Sequence, residues 1–157
     1  MAWTSDVVNG SKRLYNLDPA TTLNANGVAL GNASVTYSDA IDVGSDVLLK
    51  TMGVMVEVDD SPANNIVFDL YASATEGGTY TKVADDVATG MTGSTPANGW
   101  VAGTVDLSLY PFSWFKIAFD PTGDESSNHV RIVLSQVDVA ESAQSEMTVG
   151  GVGADPS

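Results

Sequence analysis

The sequence predicts an all-β protein built as an antiparallel β-sandwich, on three observations. Apolar residues recur at every second position in several runs between residues 33 and 139, the period of a strand with one buried face. The runs are short and separated by clusters of Asp, Gly, Pro, Ser and Asn at intervals of roughly 8–12 residues, the rhythm of sandwiches and barrels. No window sustains the 3.6-residue period of an amphipathic helix. Outside these bounds the chain changes character. Residues 1–32 mix single apolar residues with Asn, Gly, Asp and Pro and show no period, which predicts an irregular N-terminal arm. Residues 140–157 are small and polar and end in Gly150-Gly151-Val152-Gly153-Ala154-Asp155-Pro156-Ser157, which predicts a flexible C-terminal tail.

Within the sandwich domain, 33–139, the strands follow one another. From Leu48 the even positions Leu48, Lys50, Met52, Val54, Val56 and Val58 form one largely apolar face, with Thr51, Gly53 and Glu57 opposite. Asp59-Asp60-Ser61-Pro62 ends that strand by turn chemistry. The next run places Ile66, Phe68, Leu70 and Ala72 on one face and Asp69 and Tyr71 on the other. Glu76-Gly77-Gly78-Thr79 is a turn, and Tyr80-Thr81-Lys82-Val83 returns from it. Residues 89–99 are a Gly/Thr/Pro/Asn-rich loop, and Trp100 to Leu109 holds a strand stopped before Pro111. Phe112 to Phe119 is an aromatic strand with Phe112, Trp114, Phe115 and Phe119 on both faces, which predicts a central position packed on each side. A polar loop, Asp120 to Asn128, precedes a last strand that alternates Val130, Ile132 and Leu134 with Arg131 and Ser135.

Composition narrows the chemistry. The chain has 157 residues, is 43% hydrophobic and carries a formal net charge of −14, from 6 Lys and Arg against 20 Asp and Glu. One domain of this length hides about 70% of its unfolded surface and forms a core without staples. Six dispersed bases make no counterion-releasing groove for nucleic acid, and anionic membranes repel the chain. With no cysteine there are no disulfides, thiolate nucleophiles or cysteine metal sites, and the redox compartment stays open. Met1-Ala2-Trp3-Thr4-Ser5-Asp6 has neither a basic region nor an apolar run, so no secretory signal is expected. No stretch approaches 18 apolar residues, so no transmembrane helix is expected.

Catalytic patterns find little support. His129 is the single histidine, no Gly-x-Ser-x-Gly surrounds any serine, and His129 reads as a half-exposed strand residue. Asp59-Asp60, Asp85-Asp86 and Asp124-Glu125 are possible acid pairs for a hydrolase, but all lie in turn-like sequence, where Asp serves the backbone. Asp120, Asp124, Glu125 and Asn128 offer oxygen ligands to calcium without the EF-hand spacing, so a solvated loop is the default. Gly150-Gly151-Val152-Gly153 lacks the context and lysine of a phosphate loop, and Asn9-Gly10-Ser11 and Asn32-Ala33-Ser34 match the glycosylation pattern by chance. No enzyme activity and no cofactor are expected.

The aromatics divide in two. Trp100, Trp114 and several tyrosines are candidates for a sugar-stacking face, with core packing the favoured reading. Trp3, Leu14, Tyr15 and Leu17 lie in a segment with no period and need a surface to bury against. They either fold over their own domain or clamp a neighbouring subunit, and so are the candidate capsid or subunit contacts.

The middle of the chain resembles a known family. Ser38-Asp39-Ala40-Ile41-Asp42-Val43-Gly44 before a hydrophobic strand is similar to the opening of small head-associated proteins of tailed bacteriophages. The hairpin from Asp69-Leu70-Tyr71-Ala72-Ser73 to Gly77-Gly78-Thr79-Tyr80-Thr81-Lys82-Val83 resembles their strand-turn-strand pattern. Trp114-Phe115-Lys116-Ile117-Ala118-Phe119, a polar loop and Val130-Arg131-Ile132-Val133-Leu134 complete the likeness over residues 38–139. The resemblance implies a jelly-roll cement or decoration protein on the outer surface of the capsid, a small symmetric homo-oligomer whose partner is the major capsid protein. It transfers no individual functional residue. The alternative expectation is a carbohydrate- or receptor-binding β-sandwich module of a phage tail or fibre.

Overall fold

The alternating runs become strands because each buries one face against the other sheet. In the computed structural model, which describes residues 3–8, 11–17, 20–24, 26–42 and 51–136, two antiparallel sheets pack face to face, with no α-helix among the described residues. The first sheet contains β1 (Thr4–Val8), β2 (Ser11–Tyr15), β11 (His129–Gln136), β6 (Thr51–Val58) and β9 (Trp100–Asp106) in that order, with β3 (Val28–Ala29) also on β11. The second runs β4 (Thr36–Tyr37), β10 (Trp114–Pro121), β7 (Ile66–Ser73), β8 (Thr81–Ala84), with β5 (Ile41–Asp42) also on β10.

The pairings are nested like a long folded hairpin. β7 pairs β8, β6 pairs β9, β4 and β5 pair β10, and β2 pairs β11, all antiparallel. Rolling that ribbon brings β11 against β6 and β10 against β7 and divides it between two sheets. This is the jelly-roll arrangement of an antiparallel double sheet. β1 is an extra strand added outside β2. Two strand positions are interrupted. β4 and β5 lie along one edge of β10, and β2 and β3 along one edge of β11. Asn16 bridges the second interruption: its N–H donates to Ile132 O at 3.3 Å, and its Oδ1 accepts the Ile132 N–H at 2.6 Å.

The core follows the predicted faces. Met52, Val54, Val56 and Val58 of β6, Ile66, Phe68, Leu70 and Ala72 of β7, and Val130, Ile132 and Leu134 of β11 are buried together. Phe68 and Phe119 meet edge to face with centroids 6.0 Å apart, the arrangement that ring quadrupoles favour. β10 is central in its sheet, but it packs on one face only and not on both as its aromatic content predicts: Phe115, Ile117 and Phe119 enter the core, while Ala118 lies between half-buried neighbours on the outer face. Phe112 lies before the strand and is exposed.

The irregular arm expected over 1–32 is corrected by the structure: β1, β2 and β3 all belong to the first sheet, so the sandwich begins well before residue 33. The period is hidden because two adjacent residues of β2, Leu14 and Tyr15, are both buried. Leu14 sits opposite Leu134 in the core, and its neighbour Tyr15 is also buried on the opposite face. A two-residue strand such as β3 is too short to show alternation at all. The expected tail, 140–157, and the strand start at Leu48 and Lys50 lie outside the described residues.

Residues 87–91 close one side of the sandwich. Val87 N–H donates to Phe68 O in the second sheet at 2.9 Å, and Thr89 N–H donates to Ala102 O in the first at 3.0 Å. The crossing is close because Gly103 of β9 has no side chain: a Cβ there would meet the Val87 carbonyl oxygen and stand 2.7 Å from Ala88 Cα. Both obstacles are backbone and cannot rotate away. Gly103→Ala is therefore expected to lower stability by about 1–3 kcal/mol, read as a reduced urea midpoint at unchanged slope. An unchanged midpoint would show that the crossing is not tight.

Candidate functional site

On the second sheet, residues alternating with the core positions form an outer face rich in rings. Tyr37 lies beside Ala118, which lies beside Asp69. Lys116 lies beside Tyr71, which pairs with Lys82. Trp114 stands between Asp42 and Ser73. The small Ala118 side chain leaves room above β10, so Tyr37 and Tyr71, two strands apart, meet edge to face at 5.2 Å. The Lys116 ammonium sits 4.4 Å from the Tyr80 ring centroid and 6.0 Å from that of Tyr37, within the range of cation–π attraction. The Tyr80 hydroxyl donates to Glu76 O at 2.8 Å and fixes that ring. Lys82 pairs with Asp69 at 3.3 Å and Asp85 at 2.9 Å. Tyr37 is 41% exposed, and Tyr71, Tyr80, Trp114 and Lys116 are half-buried.

Burial, then the neighbouring Tyr71 and Asp120, raises the Tyr37 hydroxyl above its ordinary 10.0. Burial and Glu76 raise Tyr80. The fold thus favours the protonated phenols. This contribution is fully present below the unfolded value and lost as pH rises through the raised folded one.

The remaining chemical candidates are held by structural hydrogen bonds. His129 begins β11, half-buried as expected, with Nδ1 3.0 Å from Asp59 Oδ2, while its N–H donates to Asp59 Oδ1 at 2.8 Å. Asp59 Oδ1 also accepts the Asp60 N–H at 2.9 Å, so that acid caps the turn. In the loop over 120–128, for which a solvated loop is the expected reading, Glu125 is instead buried and faces amides: Oε2 accepts from Asn64 N–H and Nδ2 at 2.7 and 2.8 Å, and Oε1 accepts from Asn128 Nδ2 at 2.6 Å. Asp124 Oδ1 accepts the Ser126 N–H and hydroxyl at 3.0 and 2.6 Å, and these bonds lower its pKa. Among the described residues no group of three or more His, Cys, Asp or Glu could hold a metal ion. Among the described residues there is no helix long and apolar enough to cross a membrane.

On the first sheet's outer face, Glu57 and Arg131 form a buried ion pair at 3.1 Å, and Arg131 Nη2 donates to Thr21 O. Residues 20–24 border an open polar depression of about 500 Å³ there, lined also by Asp60, Asn98 and Ser127.

Of the predicted contact residues, Trp3 packs against the core and donates its Nε1–H to Asp39 O at 3.0 Å, Leu14 and Tyr15 are buried, and Leu17 is half-buried. Leu14 and Tyr15 are thus buried within their own first sheet, which is one of the two placements expected for them. The favoured core reading of the aromatics is corrected at Trp100, which is 41% exposed on β9 opposite Glu57. Tyr37, the most exposed ring of the outer face, escaped the sequence reading because β4 has only two residues.

Glu125→Ala would leave three donors without their acceptor and is expected to cost about 2–3 kcal/mol, measured by chemical denaturation, with Asp124→Ala costing far less. Loss of stability on the scale of the exposed variant would refute the anchoring role of Glu125. Alkaline titration followed by tyrosinate absorbance is expected to show a late component that Tyr37→Phe reduces. A wild-type titration confined to the ordinary tyrosine range would contradict the raised values.

Comparison with known proteins finds no matching family model and no matching curated protein.

Proposed function

We propose that the chain is a non-enzymatic virion structural protein. It attaches to the outer surface of a tailed-phage head and stabilises contacts between major capsid subunits, working as a small symmetric homo-oligomer. The observation that carries this reading is the edge formed by β1. Among the described residues β1 pairs on one side only, with β2. An unpaired strand edge presents a row of N–H and C=O groups that a neighbouring chain can extend.

The hairpin is well suited to transmit load. Trp3 ties its start to Asp39, and Leu14 anchors β2 in the core. Attachment in this reading therefore uses the β1 backbone, with Trp3 and Leu14 holding the strand from beneath. A symmetric shell multiplies such contacts, so that individually modest ones give lasting attachment. The resemblance of residues 38–139 to head-associated proteins and the jelly-roll strand order support the same reading.

The test is co-sedimentation with heads assembled without this chain, from the phage that encodes it. Saturable binding at a fixed ratio to capsid subunits is expected, and Ser5→Pro in β1 is expected to weaken it at least tenfold while the unfolding midpoint changes little. Undiminished binding of Ser5→Pro would overturn attachment through the edge. Failure of the folded wild-type chain to bind would overturn the capsid reading in favour of a tail or fibre module.

A further inference from the structure

We infer that the outer face of the second sheet is a binding platform for a neutral, pyranose-based oligosaccharide. The site is formed by Tyr37, Tyr71, Tyr80 and Trp114 around Lys116, with Asp120 at its margin. It lies on the opposite side of the sandwich from the first sheet's outer face, and it does not depend on the capsid reading.

Three features of the face select the ligand. The first is ring display. Four aromatic side chains from β4, β7, β10 and the turn before β8 lie on this one face: Tyr37 and Tyr71 meet edge to face beside Ala118, Tyr80 is held by Lys116, and Trp114 lies two residues from Lys116 on the same side of β10. Rings in that position offer apolar surface to the C–H face of a sugar, and tyrosine adds a hydroxyl at the ring's tip.

The second is the charge interleaved with the rings. The Lys116 ammonium is held against the rings of Tyr80 and Tyr37. Asp69 and Lys82 form an ion pair on the same face. The cores of protein–protein interfaces are depleted of charge, and desolvating these groups under a protein partner would be costly. A sugar leaves much of the site wet and brings hydroxyls that both donate to carboxylates and accept from the ammonium, so donors and acceptors beside aromatic rings match it better.

The third is net charge. At −14 the chain repels polyanions. This disfavours nucleic acid and acidic glycans and leaves neutral sugars.

The test is affinity electrophoresis of the full chain in native gels containing hydroxyethylcellulose, xyloglucan, galactomannan, dextran or soluble starch, with alginate as the acidic control. At least one neutral polymer is expected to retard the chain. Tyr37→Ala and Trp114→Ala are each expected to reduce the association constant about tenfold, comparable to the loss of one ring contact. Trp100→Ala, which removes the exposed ring of the other sheet, is expected to leave retardation unchanged. Each variant's unfolding midpoint checks the fold. Should Trp114→Ala lower it, Tyr37→Ala decides, because Tyr37 is exposed on a short edge strand. No retardation by any neutral polymer, retardation by alginate alone, or binding that survives Tyr37→Ala would overturn the inference. Loss in Trp100→Ala equal to that in Tyr37→Ala would also overturn it. None of these results bears on head binding, which is read with other variants in another assay.

Discussion

The structure depends on β11 being paired along both edges. On one side it meets β6, and on the other β2 and β3, with Asn16 filling the gap between them. Its buried stripe, Val130, Ile132 and Leu134, completes the first sheet's inner face, so the second sheet has a continuous surface to pack against. The pairing joins distant parts of the chain: Ile132 and Asn16 are 116 residues apart in sequence. Closing so long a loop is entropically expensive, and a fold resting on non-local pairings is expected to form slowly. The nested order answers part of that cost, since the local β7–β8 pair can form early and each outer pair then closes a shorter effective loop.

A second constraint is how to bury acids in a chain with few bases. Glu125 is held by amide donors from Asn64 and Asn128 without any cation, linking the β6–β7 connection to the β10–β11 connection. Asp59 does similar work at the end of β6, gathering the His129 and Asp60 N–H groups. Glu57 and Arg131, by contrast, form an ion pair in which both side chains are nearly buried. Such a pair gains little net stability after desolvation, though removing one partner strands the other. Much of the chain's acidity thus lies where an acid can accept from the backbone or face water.

The two sheets present different surfaces. The first has an added edge strand and a polar depression crossed by residues 20–24. The second carries an exposed aromatic face with a captured ammonium. Because the sheets pack by their inner faces, the polar depression and the aromatic face lie on opposite sides of the sandwich, while the free edge of β1 lies in the plane of the first sheet.

Fold class and the long strands were legible in the amino-acid sequence. Period-two alternation in β6, β7 and β11 is a direct record of one-sided burial, and the turns between them carry their own chemistry in Asp59-Asp60-Ser61-Pro62 and Glu76-Gly77-Gly78. The strand-start and turn positions of His129 and the paired acids were legible there too. The N-terminal strands needed the tertiary structure, because adjacent Leu14 and Tyr15 of β2 are both buried and β3 and β4 are too short to show a period. The aromatic face needed it as well. Tyr37, Tyr71, Tyr80 and Trp114 are scattered along the chain, and they become one surface only because β4, β10 and β7 are neighbours and Ala118 leaves space between two of the rings. Local patterns record which side of a strand is buried. Strand order, which closes over long sequence separations, decides which exposed sides share a surface.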